Sequence, residues 1–530
     1  MKSARLILPA VANGIFALFP LLYPWSREAA SRLDPVDLPL FALFHLVLIA
    51  QVLVLPGLAL LPLVRRRPCV DSVHAGGLVL ALSTGMVLLV KLVLNLVAVP
   101  ITAWTFWGGL LAAVNLCLAI GLARGLRLPG TQSDDYLAAC GKRWIVATLA
   151  VLLALFLVLE LVGMQLMIVP DADRMNFGTA SIMERSVPGS GFYEEADTDI
   201  YPDFTPYLLH DFSHPPLALF YSAYVATLGG YLEYSRIFSE EHLLATGKDF
   251  NYDYLDLEPA QDFLFVNRVS TNFFCLLLCA LMVAFAFRLT GRAWIGLLVM
   301  AYLIVLFWNL PAFAFSLLDP FKPVFVFYSV LVAYGYLYLR EERGFNFAVA
   351  LLGSLANQKV LYVMLAIVLH GLITRRGWRK AVFNEQTLGY AAGIVLFVAY
   401  GLVMNHRVFI SHYFVLHLYE RLVSHPELKA RALEGTGKDP LHQWATYIRI
   451  FGTGPFVAVC GLAAHGAVRL FRFEAFVLPL FALAAGVVGT CIWPHAFRYL
   501  IPATFPLLLT ASVSVGFWAD RWSQGRTGRA

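Results

Sequence analysis

Six side chains scattered from residue 171 to residue 498 have the types that a group-transfer reaction at a membrane face needs. Asp171 and Asp173 stand in Pro170-Asp171-Ala172-Asp173-Arg174, directly after a long apolar run, and Asp319 stands in Leu318-Asp319-Pro320. His214 opens His214-Pro215-Pro216-Leu217, Lys359 closes Ala356-Asn357-Gln358-Lys359, and Arg498 begins Arg498-Tyr499-Leu500-Ile501-Pro502. Charge is costly inside hydrocarbon, so acids placed just beyond an apolar helix belong at the water boundary. There a carboxylate can take a proton from an acceptor hydroxyl, while Lys and Arg hold a phosphate carried by the donor. That is the chemistry of sugar transfer from a polyprenyl phosphate. Asp171, Asp173 and Asp319 are then the candidate catalytic acids, with Asp171 as the base. Lys359, Arg498 and His214 are candidate phosphate partners, and Arg174, His412, His417, Arg421 and His495 are candidate acceptor or donor contacts. The plainer reading makes each a structural polar group at a helix end.

A DxD pair often signals a divalent ion held between carboxylates and a diphosphate. A monophosphate donor lacks that diphosphate, so no cofactor is required and the metal stays open. Asp197-Thr198-Asp199, a second such pair, reads equally well as a solvated turn.

The elements that position these residues must be membrane helices. The 530-residue chain is 59% hydrophobic and 14% charged, against an apolar share of about 45–50% in soluble domains. The net charge of +5 comes from short basic runs at segment ends, which suits topology rather than nucleic-acid binding. The seven cysteines show no CxxC pair and no ligand spacing with His, so they read as packing residues.

Apolar runs of bilayer length fall near 5–24, 39–64, 77–99, 103–123 and 144–168, then near 263–287, 294–310 and 321–339. Two short runs, 345–356 and 360–373, meet at a polar break holding Lys359; later runs fall near 387–404, 453–470, 474–492 and 499–518. The pattern predicts an all-α polytopic fold of about fourteen transmembrane helices with both termini cytoplasmic. Arg65-Arg66-Arg67, Arg288, Arg340, Arg375-Arg376 and Arg469 then fall on one side, and Asp171, Asp173, His214, Asp319, Lys359, His495 and Arg498 on the other. A helix from Pro215 to Tyr231 is expected on the membrane surface. Lys91 in the third run, and Glu160 in the fifth, read as pairing between helices or snorkelling to an interface.

These motifs, in this order, resemble those of the GT-C glycosyltransferases, in the branch holding the lipid A aminoarabinose transferases and protein O-mannosyltransferases. The acidic motif at 170–174, H-P-P-L at 214–217, the second loop aspartate at 319, the lysine at a helix break at 359 and R-Y-L-x-P at 498–502 each look like a family element. Residues 412–421 resemble its later loop. Ser213-His214 stands where the aminoarabinose transferases have Glu-Lys, which is closer to the mannosyltransferase form.

The resemblance covers 144–518 and implies a glycosyltransferase module there, with outer loops 169–264 and 405–452. Residues 1–124 are then an accessory bundle of about four helices, 125–143 a cytoplasmic linker and 519–530 a cytoplasmic tail. Implied partners are a polyprenyl-phosphate-linked sugar, a lipid, glycan or protein acceptor and membrane lipids, without nucleic acid. The implied location is a bacterial inner membrane with the site on its periplasmic face. The competing reading is a transporter or flippase of a lipid-linked or polar solute, whose sites lie near the bilayer midplane.

Overall fold

A computed structural model describes residues 7–18, 38–97, 99, 102–132, 147–148, 150–152, 154, 217–228, 258–309, 321–374, 377–410, 444–445, 447–449, 452–491 and 500–527. The described residues are overwhelmingly helical and include no strand, only an isolated bridge between Cys69 and Thr131. Stretches Val47–Val64, Ser72–Leu94, Ala103–Ala123, Phe273–Thr290 and Ile501–Gln524 are long and apolar enough to cross a membrane. Shorter apolar helices cover Ala293–Leu306, Pro323–Tyr338, Arg343–Ala356, Gln358–Ile373 and Glu474–Thr490.

In chain order the helices are α1 (Ile7–Phe16), α2 (Leu38–Leu53), α3 (Leu55–Val64), α4 (Ser72–Leu96), α5 (Ala103–Ala123), α6 (Leu217–Leu228), α7 (Glu258–Thr290) and α8 (Ala293–Asn309). There follow α9 (Phe321–Tyr338), α10 (Arg343–Ala356), α11 (Leu361–Ile373), α12 (Trp378–Val382), α13 (Glu385–Phe409), α14 (Thr453–Leu470), α15 (Val477–Cys491) and α16 (Ile501–Thr527). The run expected at 39–64 is two helices, broken at Val54. Pro56 has no N–H for the carbonyl four residues back, so the helical ladder is interrupted there. One residue on, Gly57 lets α3 lie directly on α4, its N–H donating to Ser83 Oγ at 2.7 Å where a Cβ would strike the Val79 carbonyl. At the other terminus α16 runs on to Thr527, past the expected end of the last span.

Ion pairs fix which helix ends lie together. Arg65 grips Glu342 through both guanidinium nitrogens at 2.8 Å, Arg343 meets Glu385 at 3.3 Å, and Arg340 pairs with Glu474 and Arg292 with Asp520. These contacts gather the C-terminal ends of α3, α7, α9, α14 and α16 with the N-terminal ends of α10 and α13. At 1.5 Å per residue these helices run from about 15 Å for α3, with 10 residues, to about 50 Å for α7, with 33, so their other termini point away from the ion-pair end. One hydrophobic core runs through the bundle from Phe16 to Ala511, taking residues from α2, α4 and α5 as well as from the later helices.

Helix α6 departs from its expected place on the membrane surface. Leu217, Ala218, Tyr221, Tyr224, Val225 and Leu228 are all at most 5% exposed, and the helix packs on α2, α5 and α7. Its Tyr, Phe and Leu side chains recur on more than one face, so the apolar contacts that surface binding would leave unmade are made inside the bundle.

Helices α10 and α13 pack against each other at backbone distance. Gly389 and Gly393, one turn apart on α13, lie so near α10 that a Cβ on either would collide with the Phe347 carbonyl or the Ser354 hydroxyl. Small residues four apart let membrane helices approach to backbone contact, where dispersion substitutes for the missing hydrophobic drive. Gly393→Leu should therefore lower stability by about 1–3 kcal/mol through overpacking. Thermal unfolding in detergent checks this, and an unchanged midpoint would show that the close approach is not needed.

Candidate functional site

Helices α10 and α11 form a hairpin that starts and ends at the ion-pair end. Near its entry Asn346 donates to the Leu339 carbonyl, and near its exit His370 Nδ1 bonds the Tyr336 hydroxyl, both at 2.8 Å and both at the C-terminal end of α9. With 14 residues in α10, the hairpin rises about 21 Å from the ion-pair end, less than the roughly 30 Å that a single span of hydrocarbon needs.

At the tip the helix stops at Asn357, whose backbone is extended, and a short turn Gln358–Val360 leads into α11. Asn357 Oδ1 accepts from the Lys359 N–H at 2.9 Å, and Tyr390 of α13 donates to the Gln358 carbonyl at 2.9 Å. The backbone groups freed by the break are thus partly satisfied from the side, as irregular chain inside a membrane protein requires. Lys359 is 6% exposed and its ammonium stands 5.9 Å from the centre of the Phe325 ring. The Asn357 side chain is fully buried, and its Nδ2 has no acceptor among the described residues. A cation and an unspent amide donor at one helix break make a place suited to an anionic oxygen.

Lys359 is the candidate residue that the structure describes. Asp171, Asp173, Arg174, His214, Asp319, His412, His417, Arg421, His495 and Arg498 lie outside the described residues, as does the Asp197–Asp199 pair. The described helix ends that border them are informative all the same. Asp319 precedes α9 by two residues, Arg498 precedes α16 by three, and His412 follows α13 by three. All three of those helix ends lie opposite the ion-pair end, which is where the hairpin points. His214 precedes α6 by three residues, and α6 touches Tyr400 through Phe220, in the part of α13 remote from Glu385.

Two features were less visible in the sequence. Lys91, read as a pairing or snorkelling residue, lies over the rings of Phe220 at 4.9 Å and Tyr224 at 5.8 Å, so α6 supplies an aromatic rather than an acidic partner. Beneath it a hydroxyl chain joins three helices: Tyr328 to Tyr221 at 2.8 Å and Tyr221 to Thr84 at 2.9 Å. Thr84 gives its proton to the Leu80 carbonyl, so Tyr221 must donate to Thr84 and Tyr328 to Tyr221. Only the spacing of tyrosines in otherwise apolar helices hinted at such a chain.

The opposite end carries a second polar cluster. Asp71 caps α4 through the His74 N–H at 2.8 Å and accepts from the Tyr334 hydroxyl at 2.6 Å, while Arg65 and Glu342 tie α3 to the α9–α10 turn. The Arg65 guanidinium holds the Glu342 carboxyl below the usual carboxylate range. A carboxyl depressed in this way stabilises the fold above its unfolded value, about 4.3, and loses that contribution as pH falls through its lower folded value. The unfolding midpoint of the parent should therefore approach that of Glu342→Gln on acidification below about pH 4, and a gap independent of pH would show that the pair contributes nothing.

No protein-family model, curated protein or solved structure matches the chain.

Proposed function

We propose that this chain is a glycosyltransferase that moves a sugar from a polyprenyl-phosphate donor to a lipid, glycan or protein acceptor at the extracytoplasmic face of a membrane. The reading takes the GT-C fold, with about fourteen spans and both termini cytoplasmic. Asp171 acts as general base in an inverting displacement, with Asp173 and Asp319 beside it, and Lys359, Arg498 and His214 receive the donor phosphate. One observation carries the reading. Lys359 is a buried cation at the tip of a helical hairpin that points to the bundle end where the helices bordering Asp319, His412 and Arg498 also terminate. Support for the sidedness comes from the ion-pair end, where Arg65, Arg66, Arg67, Arg124, Arg127, Arg288, Arg292, Arg340, Arg343, Arg469 and Arg472 collect, as cytoplasmic ends do.

The test is mass spectrometry of surface glycolipids and glycoproteins from cells with and without the chain, followed by transfer from a synthetic polyprenyl-phosphate sugar in proteoliposomes. A glycan that disappears with the chain, and transfer that depends on the purified protein, are the expected results. A second reading rests on the same hairpin, because broken helices that meet within the bilayer also build transporter sites. Movement of a labelled lipid-linked sugar across the proteoliposome membrane, without transfer, would favour it.

A further inference from the structure

We propose that an anionic phospholipid of the bilayer binds between α3, α4, α7 and α9, with an acyl chain in an apolar groove and its headgroup against Arg66, Arg67 and Arg127. The groove holds about 590 Å³, within the size range of ligand sites, and its walls include Leu58, Leu61, Gly76, Leu80, Leu281 and Leu331. Its walls are mostly apolar, so a polar solute would find few partners there. It lies beside helices long and apolar enough to cross a membrane, where a hydrocarbon chain would be the abundant apolar occupant.

Its end near Ser72, Leu128 and Pro129 sets the headgroup chemistry. Cys69 N–H donates to the Gly130 carbonyl and Gln132 N–H to the Cys69 carbonyl, each at 2.8 Å, which holds the segment after α5 against the segment after α3. This brings Arg127, next to the groove residue Leu128, to the side where Arg66 and Arg67 stand. All three are exposed, and none forms an ion pair with a carboxylate among the described residues. Neighbouring Arg65 is different, since its charge is met by Glu342. Three guanidinium groups near the end of an apolar groove, of which Arg67 alone also feels the Glu342 charge, suit the phosphate diester and net negative charge of an anionic phospholipid, whereas the ammonium of a zwitterionic headgroup would be repelled.

The full-length protein is placed in nanodiscs of mixed phosphatidylcholine and phosphatidylglycerol, released into mild detergent, and the lipids that stay with it are identified by native mass spectrometry. Phosphatidylglycerol should be retained in excess over its share of the bilayer. Each of Arg66→Gln, Arg67→Gln and Arg127→Gln should weaken retention about fivefold, and the triple variant on the order of a hundredfold. Gly76→Leu is the complementary variant, because a side chain at that position meets open space and fills the groove with the arginines intact. It should also release the lipid. Retention of both lipids in bilayer proportion, or phosphatidylglycerol binding that survives both the triple variant and Gly76→Leu, would overturn the site. So would a photo-crosslinker at position 76 that labels another part of this chain in place of lipid.

Discussion

Asp171→Asn should reduce sugar transfer by 10²–10⁴-fold while leaving folding and donor binding close to those of the parent. The substitution keeps the size of the side chain and much of its hydrogen bonding but removes the base. In an inverting displacement the acceptor hydroxyl attacks the anomeric carbon as the bond to the lipid phosphate breaks, and the hydroxyl proton passes to the carboxylate. On the reading proposed above, the phosphate leaves with the bonding electrons, and Lys359 and Arg498 would offset its charge. With the leaving group so provided for, the positioned base is what the chemistry chiefly lacks, which is why the full base contribution is assigned to this residue. Single-turnover transfer from a purified polyprenyl-phosphate sugar measures the effect apart from donor binding. Near-normal transfer by the variant would move the base to Asp173 or Asp319. A product with retained anomeric configuration would exclude single displacement.

How much of this was legible in the sequence differs from element to element. The break at Lys359 was readable because Asn357-Gln358-Lys359 interrupts two apolar runs each too short to cross hydrocarbon alone, and a polar triplet there has few places to go. The direction of the helices followed from arginine runs, which the ion pairs Arg65–Glu342 and Arg343–Glu385 then locate at one end. The place of α6 was not readable. Its Tyr221 and Tyr224 suit an interface as well as a core, and only their partners decide, here Tyr328, Thr84 and Phe106 on three other helices. The break at Val54 was obscured for a related reason: Pro56 announces a disturbed ladder, but apolar composition runs straight through it, and a hydropathy window cannot see a backbone turn. Close approach at Gly389 and Gly393 depends on which face α13 turns to α10, information held by the partner helix rather than by the glycines.

Lys359→Met should weaken binding of a polyprenyl-phosphate sugar by about 2 kcal/mol, or roughly thirtyfold in Kd, without lowering thermal stability. The two halves of this prediction separate a functional lysine from a structural one. Methionine keeps an unbranched stem of similar length and removes the ammonium that stands over Phe325, so no large cavity is created. If the ammonium serves the fold, its loss strands whatever group it meets, and the midpoint should drop. If it serves chiefly a donor phosphate, the loss falls on affinity and the midpoint stays close to that of the parent. The Asn357 amide remains in the variant as a donor to the same oxygen, which is why the loss is confined to the contribution of one charge-assisted hydrogen bond. Arg498→Met provides the independent check, since two cations on one phosphate should show coupling in a double-mutant cycle. Additive losses would place Lys359 and Arg498 at separate sites, and an unchanged Kd in Lys359→Met would remove the lysine from the donor site altogether.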